Sequence, residues 1–208
     1  MNKVIHLKEI EKRAFRSTFQ DGLWDIFLGV LLLNLSIFPW LTEEYMSPFS
    51  IVIVSLTITI VVFIGFLLGK RYLTVLRIGI LRVGSDRKSK LKKLHVVLIV
   101  SVAGTTALLF FTRYLNQFSR IPIPFLIFGI QAIIVFSIGA YLLSIDRLYL
   151  YGIFFAFPLP TGYALAKAQY SIFELIIVAA IPSLIMIIIG IVFFTKFLLN
   201  YPVTREEN

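Results

Sequence analysis

Few residues in this chain could do chemistry, and most of them stand at the edges of apolar runs. Asp21 and Asp25 lie one helical turn apart at the start of the first run. Two carboxylates there could hold a proton or a cation. The simpler use is structural, with Asp21 capping a helix and Asp25 complementing the positive end of its dipole. Glu174 is the one carboxylate that could sit inside an apolar run. An acid at such a position is a functional candidate by default. Ser171-Ile-Phe-Glu174, however, has the spacing of a capping box, which puts Glu174 in the first turn of a helix.

Pro158-Leu-Pro160 falls near the middle of an apolar run. Each proline removes a backbone donor, and a helix broken at mid-depth can offer carbonyls to a solute. On that reading Pro158, Pro160 and Thr161, with Gln131 from the preceding run, are the residues of a transport site. A transporter made of two three-span halves would repeat the break in the second run, which has no proline in residues 50–69. A packed kink is the simpler use. Asn34, Ser101, Thr105 and Thr106 are the other polar groups at depth, and hydrogen bonds between helices at about 1 kcal/mol each account for them.

The basic residues are the largest charged group. Arg82, Arg87, Lys88, Lys90, Lys92 and Lys93 fall within one short stretch. No aromatic residue is interleaved with them, so a platform for stacking single-stranded nucleic acid is missing. Anionic headgroups suit such a stretch better, at about 1 kcal/mol per basic residue near the surface. The simplest use of all is as a topology signal. With no cysteine, the chain has no disulfide, thiolate metal site or cysteine nucleophile. His6 and His95 are far apart, and no H-E-x-x-H is present. No nucleophile has a credible base beside it, so a non-enzymatic protein without cofactor or metal is expected.

The elements that must position these residues follow from composition. Of 208 residues only 15% are charged, against about 25% in an ordinary soluble domain. Between charged residues lie six long gaps, at 26–42, 45–69, 94–112, 121–145, 148–166 and 175–195. A hydrocarbon core of about 30 Å takes roughly 20 apolar residues of helix. The apolar runs do not alternate as barrel strands do. The expected fold is therefore an all-α integral membrane protein with six transmembrane helices, spanning about 23–41, 50–69, 94–114, 122–144, 148–167 and 172–199 of a single domain over 21–200.

Seventeen of the 20 Lys and Arg residues fall in the two tails and the second and fourth connections. Arg113, Arg120 and Lys167 alone fall in the others. By the positive-inside rule both termini are cytoplasmic. The first 23 residues show no signal-peptide pattern, so the first span is expected to stay in place. Residues 4–19, within a tail of 1–20, suit an amphipathic helix lying in the inner headgroup plane. Trp24 and Trp40 bracket the first span. Gly65-x-x-x-Gly69, and Gly152, Ala156, Pro160 and Ala164 at every fourth place, suit close helix contacts. In the connection of residues 70–93, Tyr72–Val83 reads as a short β-like element, with a helical continuation as the alternative, before a basic approach to the third span. Residues 201–208 form a cytoplasmic tail.

Three stretches together, residues 14–29 (AFRSTFQDGLWDIFLG), 73–83 (LTVLRIGILRV) and 147–152 (RLYLYG), resemble a family of uncharacterised multi-pass membrane proteins of bacteria and archaea. In that family a Pro often precedes the Arg of the loop motif, where this chain has Leu76. The resemblance implies a prokaryotic inner-membrane setting and no particular activity, substrate or site. The expected function is a membrane module whose basic cytoplasmic face contacts anionic lipid headgroups or a protein partner, a second copy included, and not nucleic acid. The alternative is a small-solute or ion transporter using the Pro158–Pro160 break.

Overall fold

In lipid every backbone N–H must find its partner within its own segment, and the α-helix is the local solution. The computed structural model describes residues 21–41, 47–75, 77, 85–118 and 123–201, and among them every regular element is helical. In chain order these are α1 (Leu23–Leu41), α2 (Pro48–Gly69), a π-helical turn (Lys70–Val75), α3 (Ser85–Phe118), α4 (Ile123–Leu143), α5 (Arg147–Ala156), α6 (Pro158–Lys167) and α7 (Ile172–Asn200). Four described stretches are long and apolar enough to cross a membrane: Ile53–Val75, Phe125–Leu143, Arg147–Lys167 and Ile176–Asn200.

The β-like element expected within Tyr72–Val83 is corrected where the chain is described. Tyr72–Val75 carry α2 onward as the π turn, and α3 already begins at Ser85. A lone extended segment would leave its N–H and C=O groups without a partner strand, whereas a helical continuation bonds them at once. The amphipathic helix expected over residues 4–19, the acidic connection at Glu43-Glu44 and the tail beyond Tyr201 lie outside the described residues.

The chain divides into two compact units. One holds α1, α2, the π turn, Arg77 and α7 from Ala180 onward. Here α1 and α7 meet through small residues. Gly22 has φ +81°, and a Cβ on it would overlap the Gly190 carbonyl oxygen. A Cβ on Gly190 would lie 2.7 Å from the Ile26 nitrogen, and one on Gly29 3.0 Å from the Ser183 oxygen. Because lipid tails are as apolar as the side chains, such close packing is a main source of helix association. Between α1 and α2, Asn34 Nδ2 donates to the Ser55 carbonyl and to Thr59 Oγ1, both at 2.9 Å, and Ser55 Oγ donates to Asn34 Oδ1 at 3.0 Å. Trp24 and Phe27 pack on Phe66, with centroids 4.6 and 4.9 Å apart. Gly69 lies against Leu23, but among the described residues nothing lies within 4 Å of a Cβ on Gly65, so only half of that glycine pair makes a close contact there. The outer face of α2, with Leu56, Ile60, Val61 and Ile64, is exposed.

The second unit runs from Gly84 to Ala179. Its α4 and α5 form a hairpin. Ser144 takes φ 57° and the Ile145 N–H reaches back to the Ala140 carbonyl at 3.1 Å. This is a Schellman turn made without glycine, accompanied by burial of Ile145 and Ala140. The same device ends α6, where Gln169 has φ 62° and the Tyr170 N–H bonds the Leu165 carbonyl at 3.2 Å. Small residues again set the packing. A Cβ on Gly152 would meet Phe136 at 3.0 Å, and one on Gly129 would meet the Ala156 oxygen at 3.0 Å.

Candidate functional site

The strongest polar constellation lies in the first unit, where α1 begins and α2 ends. Asp21 and Asp25 are fully buried. Asp21 caps α1 as its residue type predicts, its Oδ1 accepting from the Leu23 N–H at 3.2 Å. Its other oxygen does more. Lys70 Nζ donates to Asp21 Oδ2 at 2.6 Å, and Thr74 Oγ1 donates to the same atom at 2.6 Å. Lys70 is 16% exposed on its side chain, against 0% for Asp21. The ammonium also lies 5.9 Å from the centroid of the Phe66 ring, which itself packs at a tilt against Trp24. A carboxylate taken from water needs such donors, because desolvating an ion costs several kcal/mol.

Lys70 and Thr74 reach one carboxylate because the chain stays helical past Gly69. Arg77 extends the edge. Its Nη1 donates to the Leu198 carbonyl at 3.1 Å and to the Tyr201 carbonyl at 2.7 Å. The last carbonyls of a helix have no partner further along, and a cation there also suits the dipole. Positions 70, 74 and 77 thus join the entry of α1 to the exit of α7. The carboxylates were visible in sequence; their partners were not. Lys70 and Thr74 stand four residues apart, and a helical continuation past Gly69 is the signal that could have put them on one face.

The exposed basic stretch is a second, different place. Lys88, Lys90, Lys92 and Lys93 stand exposed on the first turns of α3. Arg82 lies outside the described residues, as does the side chain of Arg87. At 3.6 residues per turn the four lysines spread around more than half of the helix, over a rise of about 7.5 Å. The same helix continues with Val96, Leu98, Ile99, Val100 and Val102 exposed. His95 Nδ1 lies 2.8 Å from the Leu91 carbonyl oxygen, one turn back.

The residues of the transport reading do not gather on a common point. Pro158 and Pro160 open α6, and the break is slight: Phe157 keeps helical angles of −80° and −45°. The Thr161 N–H still bonds the Phe157 carbonyl at 3.2 Å, and the Thr161 hydroxyl bonds that oxygen at 2.7 Å. The Ala156 oxygen, which Pro160 cannot bond, lies against Gly129 of α4. Gln131 turns to α3, its Nε2 donating to the Ser101 carbonyl at 2.6 Å, to Ser101 Oγ at 2.8 Å and to Thr105 Oγ1 at 3.1 Å. Glu174 lies in the first turn of α7 and accepts from the Ser171 N–H at 2.9 Å. That is the reach-back half of a capping box.

Comparison with protein-family models, with curated proteins and with solved structures returns no match, so the functional reading rests on the residues themselves.

Proposed function

We propose that the chain is a six-span membrane protein of a prokaryotic inner membrane, with both termini cytoplasmic. It acts as a non-enzymatic module whose basic cytoplasmic face binds anionic lipid headgroups. The observation that carries this reading is the placement of Lys88, Lys90, Lys92 and Lys93, all exposed on a helix that runs on into an exposed apolar segment. Their rise of about 7.5 Å matches one headgroup layer, roughly 5–8 Å thick. Charges at that depth meet phosphates without further folding, and each basic residue near an anionic surface adds about 1 kcal/mol.

The test is lipid selectivity in nanodiscs that mix phosphatidylcholine and phosphatidylglycerol. The full chain should retain phosphatidylglycerol over phosphatidylcholine, and salt should weaken the preference. A variant with Lys88, Lys90, Lys92 and Lys93 all changed to Gln should lose most of it. Equal retention of both lipids by the unaltered chain at low salt, with topology intact, would falsify the proposal. Transport has less support, because Ala156 and Gln131 are engaged with neighbouring helices. Uptake of one solute class into proteoliposomes, lost in Pro158→Ala and Pro160→Ala, would bring it forward.

A further inference from the structure

The Lys70–Val75 segment is the one place among the described residues where a helix departs from α geometry into a π turn. Such turns are rare, occur mostly singly and cluster at functional sites. A π turn carries one residue more than the α turn it replaces. Relaxing it to α would rotate everything beyond it by about 100° and move it about 1.5 Å along the axis. Two side chains of this turn, Lys70 and Thr74, grip the same oxygen of Asp21. Just beyond it, Arg77 grips the carbonyls of Leu198 and Tyr201. Rotation through such an angle would carry Arg77 off both.

We propose that Asp21 is a register latch. Its negative charge holds the Lys70–Val75 turn in π geometry, and that geometry keeps Arg77 on the end of α7. When the charge is removed, the Lys70–Asp21 ion pair is lost, the turn relaxes toward α, and Arg77 leaves Leu198 and Tyr201. The start of α1 and the end of α7 are then coupled through a helix end that has two discrete registers, which is the requirement for a conformational switch. Lys70 is the less buried member of the pair, at 16% against 0% for Asp21. The reading does not depend on lipid binding at α3.

The chain has no cysteine, so two can be introduced alone. Val75 and Leu199 are exposed, at 37% and 75%. With both changed to Cys and spin-labelled in the full-length protein, pulsed electron resonance should give one narrow distance distribution. Asp21→Asn should shift its centre by several ångströms or add a second population. Lys70→Met should do the same, and Thr74→Val should add a smaller second population. Exchanging the pair, Asp21→Lys with Lys70→Asp, restores the charge pairing but offers Thr74 no acceptor, so it should reverse most of the shift. If Asp21→Asn does not fold, Lys70→Met and Thr74→Val decide. An unchanged distribution in those folded variants overturns the latch, as does a shift that the exchanged pair fails to reverse.

Discussion

Lys70 and the four lysines at the head of α3 carry the same charge and live in opposite circumstances. Lys70 is largely buried and holds a buried carboxylate at 2.6 Å. Lys88, Lys90, Lys92 and Lys93 point outward from their helix. The first arrangement is intramolecular, and its partner is covalently guaranteed at high effective concentration. The second depends on whatever surrounds the protein. A lysine beside Asp21 should therefore govern folding and register, and a lysine on α3 should govern only what the protein adheres to. In a chain this apolar, burial is what separates the two sets of lysines.

The comparison is broken most sharply at the buried pair. Asp21→Ala leaves Lys70 and Thr74 facing a vacated pocket. Removing one partner of a buried pair typically costs about 3–5 kcal/mol, so thermal unfolding in neutral detergent should fall by many degrees. A loss no larger than that of a surface change would put Lys70 in the same class as the α3 lysines. Next comes the helix contact that brings Asp21 into place. Gly190→Val would set a side chain against the Ile26 nitrogen and the Gly22 oxygen. Those are backbone atoms, which cannot move aside, and overpacking of this kind costs about 1–3 kcal/mol or more. The expected readout is a lower unfolding midpoint together with altered emission from Trp24, which packs on Phe66 near the pair.

A smaller effect is expected where polar groups meet without charge. Asn34→Leu removes the bonds to Ser55 and Thr59. Interhelical hydrogen bonds in membranes average about 0.6 kcal/mol and reach about 1.7, so the midpoint should move only slightly. Smallest of all is the fourfold Lys→Gln variant of α3. In neutral detergent its stability should stay within about 0.5 kcal/mol of the unaltered chain, while its preference for anionic lipid falls. A large loss of stability in that variant would show that the α3 lysines also hold the fold together.

Much of the architecture was legible in residue order because membranes impose a short list of rules. Charge-free gaps of about 20 residues read as helices, since lipid leaves the backbone no other local solution. The capping role of Glu174 was also local: Ser171 and Glu174 are three residues apart and meet within one turn. The β-like reading of Tyr72–Val83 failed at Tyr72–Val75 because β-branched and aromatic residues mark a strand only where a partner strand exists. The turns at Ser144 and Gln169 gave no sign, since left-handed caps are usually announced by glycine or asparagine. Of the small-residue ridge Gly152, Ala156, Pro160 and Ala164, the first two lie on α5 and meet α4. Gly65 looked equally suited and meets nothing among the described residues, because spacing says that a helix can be approached and not by what.

What residue order determined by itself is where this chain is apolar, where it is charged and that it is helical, because each depends on a window of about 20 neighbours. What only the tertiary structure decided is the fate of individual charges. Asp21 lies 49 residues from Lys70 and 53 from Thr74, and Arg77 lies 121 from Leu198. No local rule joins partners at such separations. Helix packing does, through Gly22, Gly29 and Gly190 between α1 and α7 and through Trp24, Phe27 and Asn34 between α1 and α2, and it turns a capping aspartate into one end of a buried ion pair.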